Sequence, residues 1–153
     1  IPDMKSTYNE LFAKFSLPVW EELEREFEIE EADKPNLTLR EIRRKMVEKI
    51  SKHAKSIESI LHPDGDLCSL YECQNVTDEN KSKLFNVLKQ LKALELHSAE
   101  VSVKNLDEKN AEFINSAFET WNLLANEIEN FYKELKAGWQ REDAEQAIQE
   151  YFG

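Results

Sequence analysis

Residues 107–138 read DEKNAEFINSAFETWNLLANEIENFYKELKAG and carry the longest amphipathic pattern in the chain. Apolar residues recur there at alternating spacings of three and four, which is typical of a helix that packs against other helices. The repeat consists of Ile114, Ala117, Trp121, Leu124, Ile128, Phe131 and Leu135. Asp107 is a suitable N-cap and Gly138 a suitable C-terminal stop, so we predict a long heptad-like helix over residues 108–137.

A second helix is predicted over residues 18–33, where Pro18 lies in the first turn. Its apolar stripe is narrow and consists of Trp20, Leu23 and Phe27. Eight of the other thirteen residues are Glu or Asp, which makes this the most acidic part of the chain. Such a charge run is usually the solvated face of a helix, and the alternative is a surface that attracts a basic partner.

The next helix has the clearest start signal in the sequence. Thr38 and Glu41 have the spacing of a capping box, in which the threonine hydroxyl accepts a hydrogen bond from the N–H three residues later. Apolar residues at helical spacing continue to Leu61. Residues 62–76 contain the helix breakers His62-Pro63-Asp64-Gly65 and are predicted to form a loop. Residues 97–105 are predicted to form a connector or a frayed helix.

Composition supports an all-helical protein. The 153 residues include 3 Gly and 4 Pro, too few for a hairpin-rich sheet protein. The 8 Phe, 4 Tyr and 3 Trp argue against intrinsic disorder. We therefore predict an all-α fold, a single domain over residues 1–153 built as a mostly antiparallel bundle of about six helices.

The charge balance excludes several classes of partner. The chain has 20 basic and 31 acidic residues, which gives a formal net charge of −11. That charge repels nucleic acids and anionic membrane surfaces. No apolar run reaches the roughly 20 residues that span a bilayer. The partners predicted are therefore a protein, with a basic surface as one option, and an apolar small molecule.

Three features favour secretion. The chain starts at Ile1 rather than at Met, as expected after removal of a signal peptide or at a trimmed boundary. The two cysteines, Cys68 and Cys73, form an even pair, as in extracellular proteins with a disulfide. A bridge between them requires that residues 68–73 do not form one straight helix, and two free thiols are the alternative.

The third feature is an excess of glycosylation sequons. The candidate acceptors are Asn36, Asn75 and Asn80. The simpler interpretation of two of these triplets is that Thr38 and Thr77 are N-caps of helices. Secretion is the predicted location, and a cytoplasmic location is the alternative.

No catalytic or metal-binding pattern is present in the sequence. The chain has no glycine-rich phosphate loop, no G-x-S-x-G and no H-E-x-x-H. His62, Asp64, Asp66 and Glu72 are close in sequence, but an EF-hand that starts at Asp64 lacks the required glycine and glutamate. We predict no catalytic residue, no metal ion and no cofactor, and we interpret the protein as a non-enzyme.

Aromatic residues at helical spacing are candidates for an apolar ligand site. The residues proposed to line it are Trp20, Trp121, Phe131 and Trp139. Aromatic stripes usually form the core, and that is the simpler interpretation here.

The order of segments resembles the nematode SXP/RAL family of secreted antigens. The first half of the resemblance consists of EELEREF at residues 21–27, Asn36-Leu37-Thr38, then Glu41 and an amphipathic helix. The second half consists of VTDEN at residues 76–80, the stripe to Leu94, and then Leu106 and Glu112. The resemblance covers residues 19–113. It implies a secreted helical protein without established enzyme activity, with a role at a host or tissue surface, and it implies no site residues.

These patterns together predict a secreted, non-enzymatic helical protein that binds an extracellular or host partner. The first alternative is a carrier of a lipid or small apolar ligand in the bundle interior. The second alternative is a cytosolic helical scaffold, in which the seam of residues 114–135 pairs with another helix.

Overall fold

The computed structural model describes residues 4–29 and 38–152, and these residues form seven α-helices without any strand. The helices are α1 (Met4–Phe15), α2 (Trp20–Phe27), α3 (Leu39–Leu61), α4 (Leu67–Asn75), α5 (Asp78–Lys104), α6 (Asp107–Trp139) and α7 (Ala144–Phe152). The predicted all-α class is confirmed. Within the same residues, none of these helices combines the length and apolar composition needed to span a bilayer.

The chain divides into two compact units that share three continuous helices. Unit 1 contains Ile1–Lys52 with Lys92–Leu123, and unit 2 contains His53–Leu91 with Leu124–Gly153. Helices α3, α5 and α6 each begin in one unit and end in the other. The described residues form seven helices where the sequence predicted about six, and the single domain over residues 1–153 stays a prediction.

Helices α2, α3, α5 and α6 all contribute buried apolar residues to the core of unit 1. Its buried residues include Leu23, Phe27, Ile42, Met46, Ile50, Phe113 and Ile114. Near the N-terminus, Tyr8 packs on Trp20 with ring centroids 5.1 Å apart, and its hydroxyl donates to the carbonyl of Pro18. Burial raises the pKa of Tyr8, so its hydroxyl stays protonated and remains a donor.

An aromatic and ionic contact fixes the end of α2 in unit 1. The Phe27 ring packs on Trp121 of α6 at 5.6 Å, and the Nζ atom of Lys49 lies 5.2 Å from the Trp121 ring centroid. The same ammonium donates to the carbonyl of Glu26, and the Trp121 indole N–H donates to the Glu26 carboxylate at 3.3 Å. Lys49 therefore satisfies a C-terminal carbonyl of α2 while making a cation–π contact.

Unit 2 contains a helix where the sequence predicted a loop. Helix α4 covers residues 67–75 of the predicted loop 62–76, so that part of the prediction is wrong. The breakers all precede Asp66, whose carboxylate caps the helix by accepting from the Ser69 N–H at 2.9 Å and its hydroxyl at 2.8 Å. These bonds lower the pKa of Asp66. Tyr71 is buried, and its hydroxyl donates to the carbonyl of Gly138 at 2.6 Å.

Other boundaries agree with the sequence or shift for local reasons. Helix α6 matches the predicted 108–137, and the Thr38 hydroxyl accepts from the Glu41 N–H at 3.2 Å, as a capping box requires. Residues 97–104 continue α5 instead of forming a connector, and within this stretch His97 packs on Phe113 and Val101 is buried. Of the predicted acidic helix 18–33, residues 20–27 are helical, and residues 30–33 lie outside the described part.

Helix α2 ends at Glu28 in a conformation that glycine adopts more easily. Glu28 is exposed and has φ 54° and ψ 40°, the left-handed region. This conformation costs an L-residue about 1–2 kcal/mol, and a glycine at the same position avoids that cost. Part of the gain is lost, because glycine has greater conformational freedom in the unfolded chain.

We expect Glu28→Gly to raise the free energy of unfolding by about 0.5–1 kcal/mol, measured by urea unfolding with far-UV circular dichroism. The matched control is Glu24→Gly, at an exposed position inside the same helix. This control should lower the free energy of unfolding by about 1 kcal/mol. Equal destabilisation by both glycines would contradict the left-handed assignment.

Candidate functional site

A groove lies between the unit 2 segments of α5 and α6. Its volume is about 250 Å³. It is lined by Asn80, Lys83, Leu84, Val87, Glu127, Asn130, Phe131 and Glu134. Each helix contributes residues spaced three or four apart, so the groove follows one face of each helix.

The floor of the groove is apolar. Leu84, Val87 and Phe131 are all buried there, and Phe131 also packs on Tyr132 at 5.1 Å. These residues belong to the stripes that define the core of unit 2. The groove is therefore a place where the core comes close to the surface, and an inserted apolar group would extend that core.

The rim of the groove is mainly acidic. Glu127 and Asn130 are exposed, and Glu134 accepts from the Asn80 side-chain amide at 3.2 and 3.3 Å. Lys83 is the one basic residue of the lining, and its Nζ atom lies 3.8 Å from the carboxylate of Glu79. The rim therefore has a net negative charge with hydrogen-bonding groups beside it.

Unit 1 contains an unusual buried cation. Arg43 of α3 is 5% exposed, and its Nε donates to the side-chain oxygen of Asn110 at 2.7 Å. Its Nη1 donates to the hydroxyl of Ser98 at 2.6 Å and to the carbonyl of Ser98 at 3.3 Å. Burial, followed by the nearby charges of Arg40 and Arg44, lowers the pKa of Arg43. Sequence patterns did not single out Arg43, although three arginines close together in an acidic chain were a visible signal.

The aromatic residues proposed to line an apolar site have different positions. Phe131 lies on the floor of the groove in unit 2. In unit 1, Trp20 packs on Tyr8 and Trp121 on Phe27, as core residues. In unit 2, Trp139 packs on Tyr71 at 4.6 Å and donates to Glu72 at 2.9 Å. Trp20, Trp121 and Trp139 are thus engaged in local packing.

The predicted disulfide between Cys68 and Cys73 is wrong in this structure. Both cysteines are free thiols on α4, Cys68 exposed and Cys73 half-buried. Five residues of continuous helix separate two Cα atoms by ~7.5 Å along the axis, beyond the span of a disulfide. The helix forms because Asp66 caps it and Tyr71 anchors it, and that excludes the bridge.

The glycosylation candidates differ in accessibility. Asn36 lies outside the described residues. The Nδ2 atom of Asn75, where a glycan would be attached, is buried without a hydrogen-bond partner and packs near Gly138. The folded chain has no room for a glycan at this atom. The Nδ2 atom of Asn80 donates to Glu134 at the edge of the groove.

Two of the carboxylates noted around the start of α4 make structural contacts. Asp66 caps α4, and Glu72 accepts from Trp139. Across residues 4–29 and 38–152, no cluster of three His, Cys, Asp or Glu side chains is arranged to hold a metal ion. His53 shares a hydrogen bond of 2.6 Å with the hydroxyl of Tyr132.

Comparison of the chain with models of protein families, with curated proteins and with solved structures finds no match. The resemblance to the SXP/RAL family therefore stays a prediction that rests on the sequence segments quoted above. We infer function from the groove, since it combines a cavity with an apolar floor and an acidic rim.

The state of the cysteines gives a direct prediction. In protein purified without reductant, two thiols per chain should react with Ellman's reagent in denaturant, because α4 holds the two sulfur atoms apart in the folded chain. In native buffer, Cys68 should react faster than Cys73 because it is the more exposed.

The single variants Cys68→Ser and Cys73→Ser identify which thiol gives each native rate, since each leaves one cysteine. If no thiol of the denatured chain reacts, and its mass is two hydrogens below that of the reduced chain, the structure of α4 is refuted.

Proposed function

We propose that this protein is a non-enzymatic binding protein, and that its groove in unit 2 takes an apolar side chain from a protein partner with a basic surface. The observation that carries this proposal is the combination of an apolar floor with an acidic rim. An apolar side chain gains free energy by burial on the floor, and neighbouring basic groups gain by pairing with the rim.

The size of the groove favours a side chain over a separate small molecule. Its volume of about 250 Å³ lies below the roughly 300–1,000 Å³ of typical small-molecule pockets. A carrier of lipids needs an enclosed apolar cavity, whereas this groove is open and has charged groups at its rim. The carrier alternative therefore has less support than a protein-binding function.

The negative charge of this protein favours a positively charged partner. The net charge of −11 attracts cationic surfaces over long range, and the rim adds Glu127 and Glu134 at short range. Such complementarity mainly raises the association rate and excludes acidic partners. A basic protein surface with one projecting apolar residue therefore matches both the apolar floor of the groove and the negative electrostatic field around it.

The scaffold alternative requires the seam of residues 114–135 to be exposed, and this requirement has little support. Ile114, Ala117 and Trp121 are buried within unit 1, and Leu124, Ile128 and Phe131 within unit 2. Because these seam residues pack inside their own units, they are not exposed for pairing with another chain.

The extracellular location is a separate part of the proposal. The sequons favour secretion, but the free thiols of Cys68 and Cys73 fit a reducing compartment equally well.

The groove can be tested by selection of peptides from a displayed random library. We expect selected peptides to carry one large apolar residue flanked by Lys or Arg, and their binding to weaken as salt rises. Glu127→Lys should reduce their affinity about tenfold because it reverses a rim charge. The matched control is Glu129→Lys, an exposed position on α6 outside the lining, which should change affinity little.

Amide shifts of Leu84, Val87 and Phe131 in NMR spectra should report binding at the groove. Peptides that bind Glu127→Lys as tightly as the parent chain, or a selection that yields no peptide, would count against the proposal. Saturable binding of a fluorescent fatty acid that displaces the peptides would favour the carrier alternative instead.

A further inference from the structure

A second cavity lies in unit 1, at the first turns of α3 and the end of α5. Its volume is about 470 Å³, and it shares no residue with the groove. It is lined by Arg40, Arg43, Arg44, Ser102 and Asn105. The three arginines are spaced three and four apart on α3, so they lie on one face of the helix.

The Arg43 guanidinium is bound within the described residues by uncharged groups. Its Nε and Nη1 atoms donate to Asn110 and Ser98, which are neutral groups. Nη2 makes no hydrogen bond among the described residues, and it is not one of the fully buried side-chain atoms that lack a partner, so it is accessible to a ligand. Buried cations are usually paired with a carboxylate, because the cost of removing a charge from water is otherwise not repaid. A guanidinium that is 5% exposed and lines a cavity is therefore a strong site for an anion.

The charges around the cavity leave a positive excess. Arg44 pairs with Glu41 at 3.7 Å, whereas Arg40 and Arg43 have no carboxylate partner in the described part of the chain. This is unexpected in a protein with 31 acidic and 20 basic residues, where carboxylates are abundant. Repulsion among the arginines, which contributes to the low pKa of Arg43, would be relieved by a bound anion.

A network of amides orients the cavity before any ligand binds. The Asn110 amide nitrogen donates at 3.0 Å to both the side-chain oxygen of Asn105 and the carbonyl of Leu106. The Asn105 side chain uses its oxygen in this bond, and its amide N–H groups make no hydrogen bond among the described residues. Asn105 is held in the left-handed conformation, with φ 54°, at the end of α5. Arg43 and Asn105 are thus both fixed through Asn110, which lowers the entropy cost of binding.

We propose that this cavity binds a tetrahedral oxyanion of the phosphate or sulfate type, either as a free ion or as the terminal group of a small molecule. Guanidinium groups bind such oxyanions with short, charge-assisted and frequently bidentate hydrogen bonds. The proposal does not depend on the function of the groove.

The test is an NMR titration of the whole chain with inorganic phosphate, against sodium chloride at equal ionic strength. We expect saturable shifts of the Arg43 Nε–H signal and of the backbone amides of Ser102 and Asn105 with phosphate, but not with chloride. Arg40→Gln and Arg44→Gln, both at exposed positions, should each weaken phosphate binding about tenfold. Arg25→Gln makes the same charge change outside the cavity and should leave binding unchanged.

Phenyl phosphate in a parallel titration separates the two sources of the group. Tighter binding than inorganic phosphate indicates the terminal group of an ester, weaker binding indicates the free ion, and both support the site. Equal shifts with chloride and phosphate would overturn the proposal. So would parental affinity in Arg40→Gln and Arg44→Gln variants whose circular dichroism shows them to be folded.

Discussion

The structure of unit 1 depends on the burial of the Arg43 guanidinium. Arg43 belongs to α3, its Ser98 partner to α5 and its Asn110 partner to α6, so one side chain joins three helices. Hydrogen bonds to a buried charge have strict geometry, and leaving such a charge unsatisfied is costly. The positions of these three helices within unit 1 are therefore tied to one another more tightly than apolar packing alone would require.

Other contacts in unit 1 build on that arrangement. Asn110 also holds Asn105 and the carbonyl of Leu106, and these contacts fix the short turn between α5 and α6. Farther along α3, Lys49 binds the end of α2 and lies over the Trp121 ring of α6. Unit 2 uses the same kind of contact, since Tyr71 of α4 donates to the carbonyl of Gly138. In both units, polar bonds set the detailed positions of helices whose association is driven by burial.

Much of the fold was predictable from periodicity, and the failures have physical causes. Helix α6 was predicted because its three-four repeat is long, and the start of α3 because Thr38 supplies a local cap. Helix α4 was missed because it is short and follows Pro63 and Gly65, so its cap and its buried tyrosine were the available signals. The disulfide prediction failed for the same reason, since it required that α4 not form.

The candidate sites were less predictable than the helices. Phe131 was identified from its place in the seam, but the groove requires α5 and α6 to lie side by side. The arginine cavity combines residues of α3 and α5 that are distant in sequence, and a helical pattern does not reveal which face meets which neighbour. Arg43 occupies a buried position beside Ile42, where sequence patterns lead one to expect an apolar residue.

A double-mutant cycle on Arg43 and Asn110 tests the central claim most directly, using Arg43→Met, Asn110→Leu and the double variant in urea unfolding. The account predicts that Asn110→Leu alone costs about 2–3 kcal/mol, because it leaves a buried guanidinium unsatisfied. The double variant should lose less free energy of unfolding than the two single variants lose together, and the difference should be at least about 1 kcal/mol. Strict additivity of the two substitutions would contradict the account, because it would mean that Arg43 and Asn110 do not depend on each other.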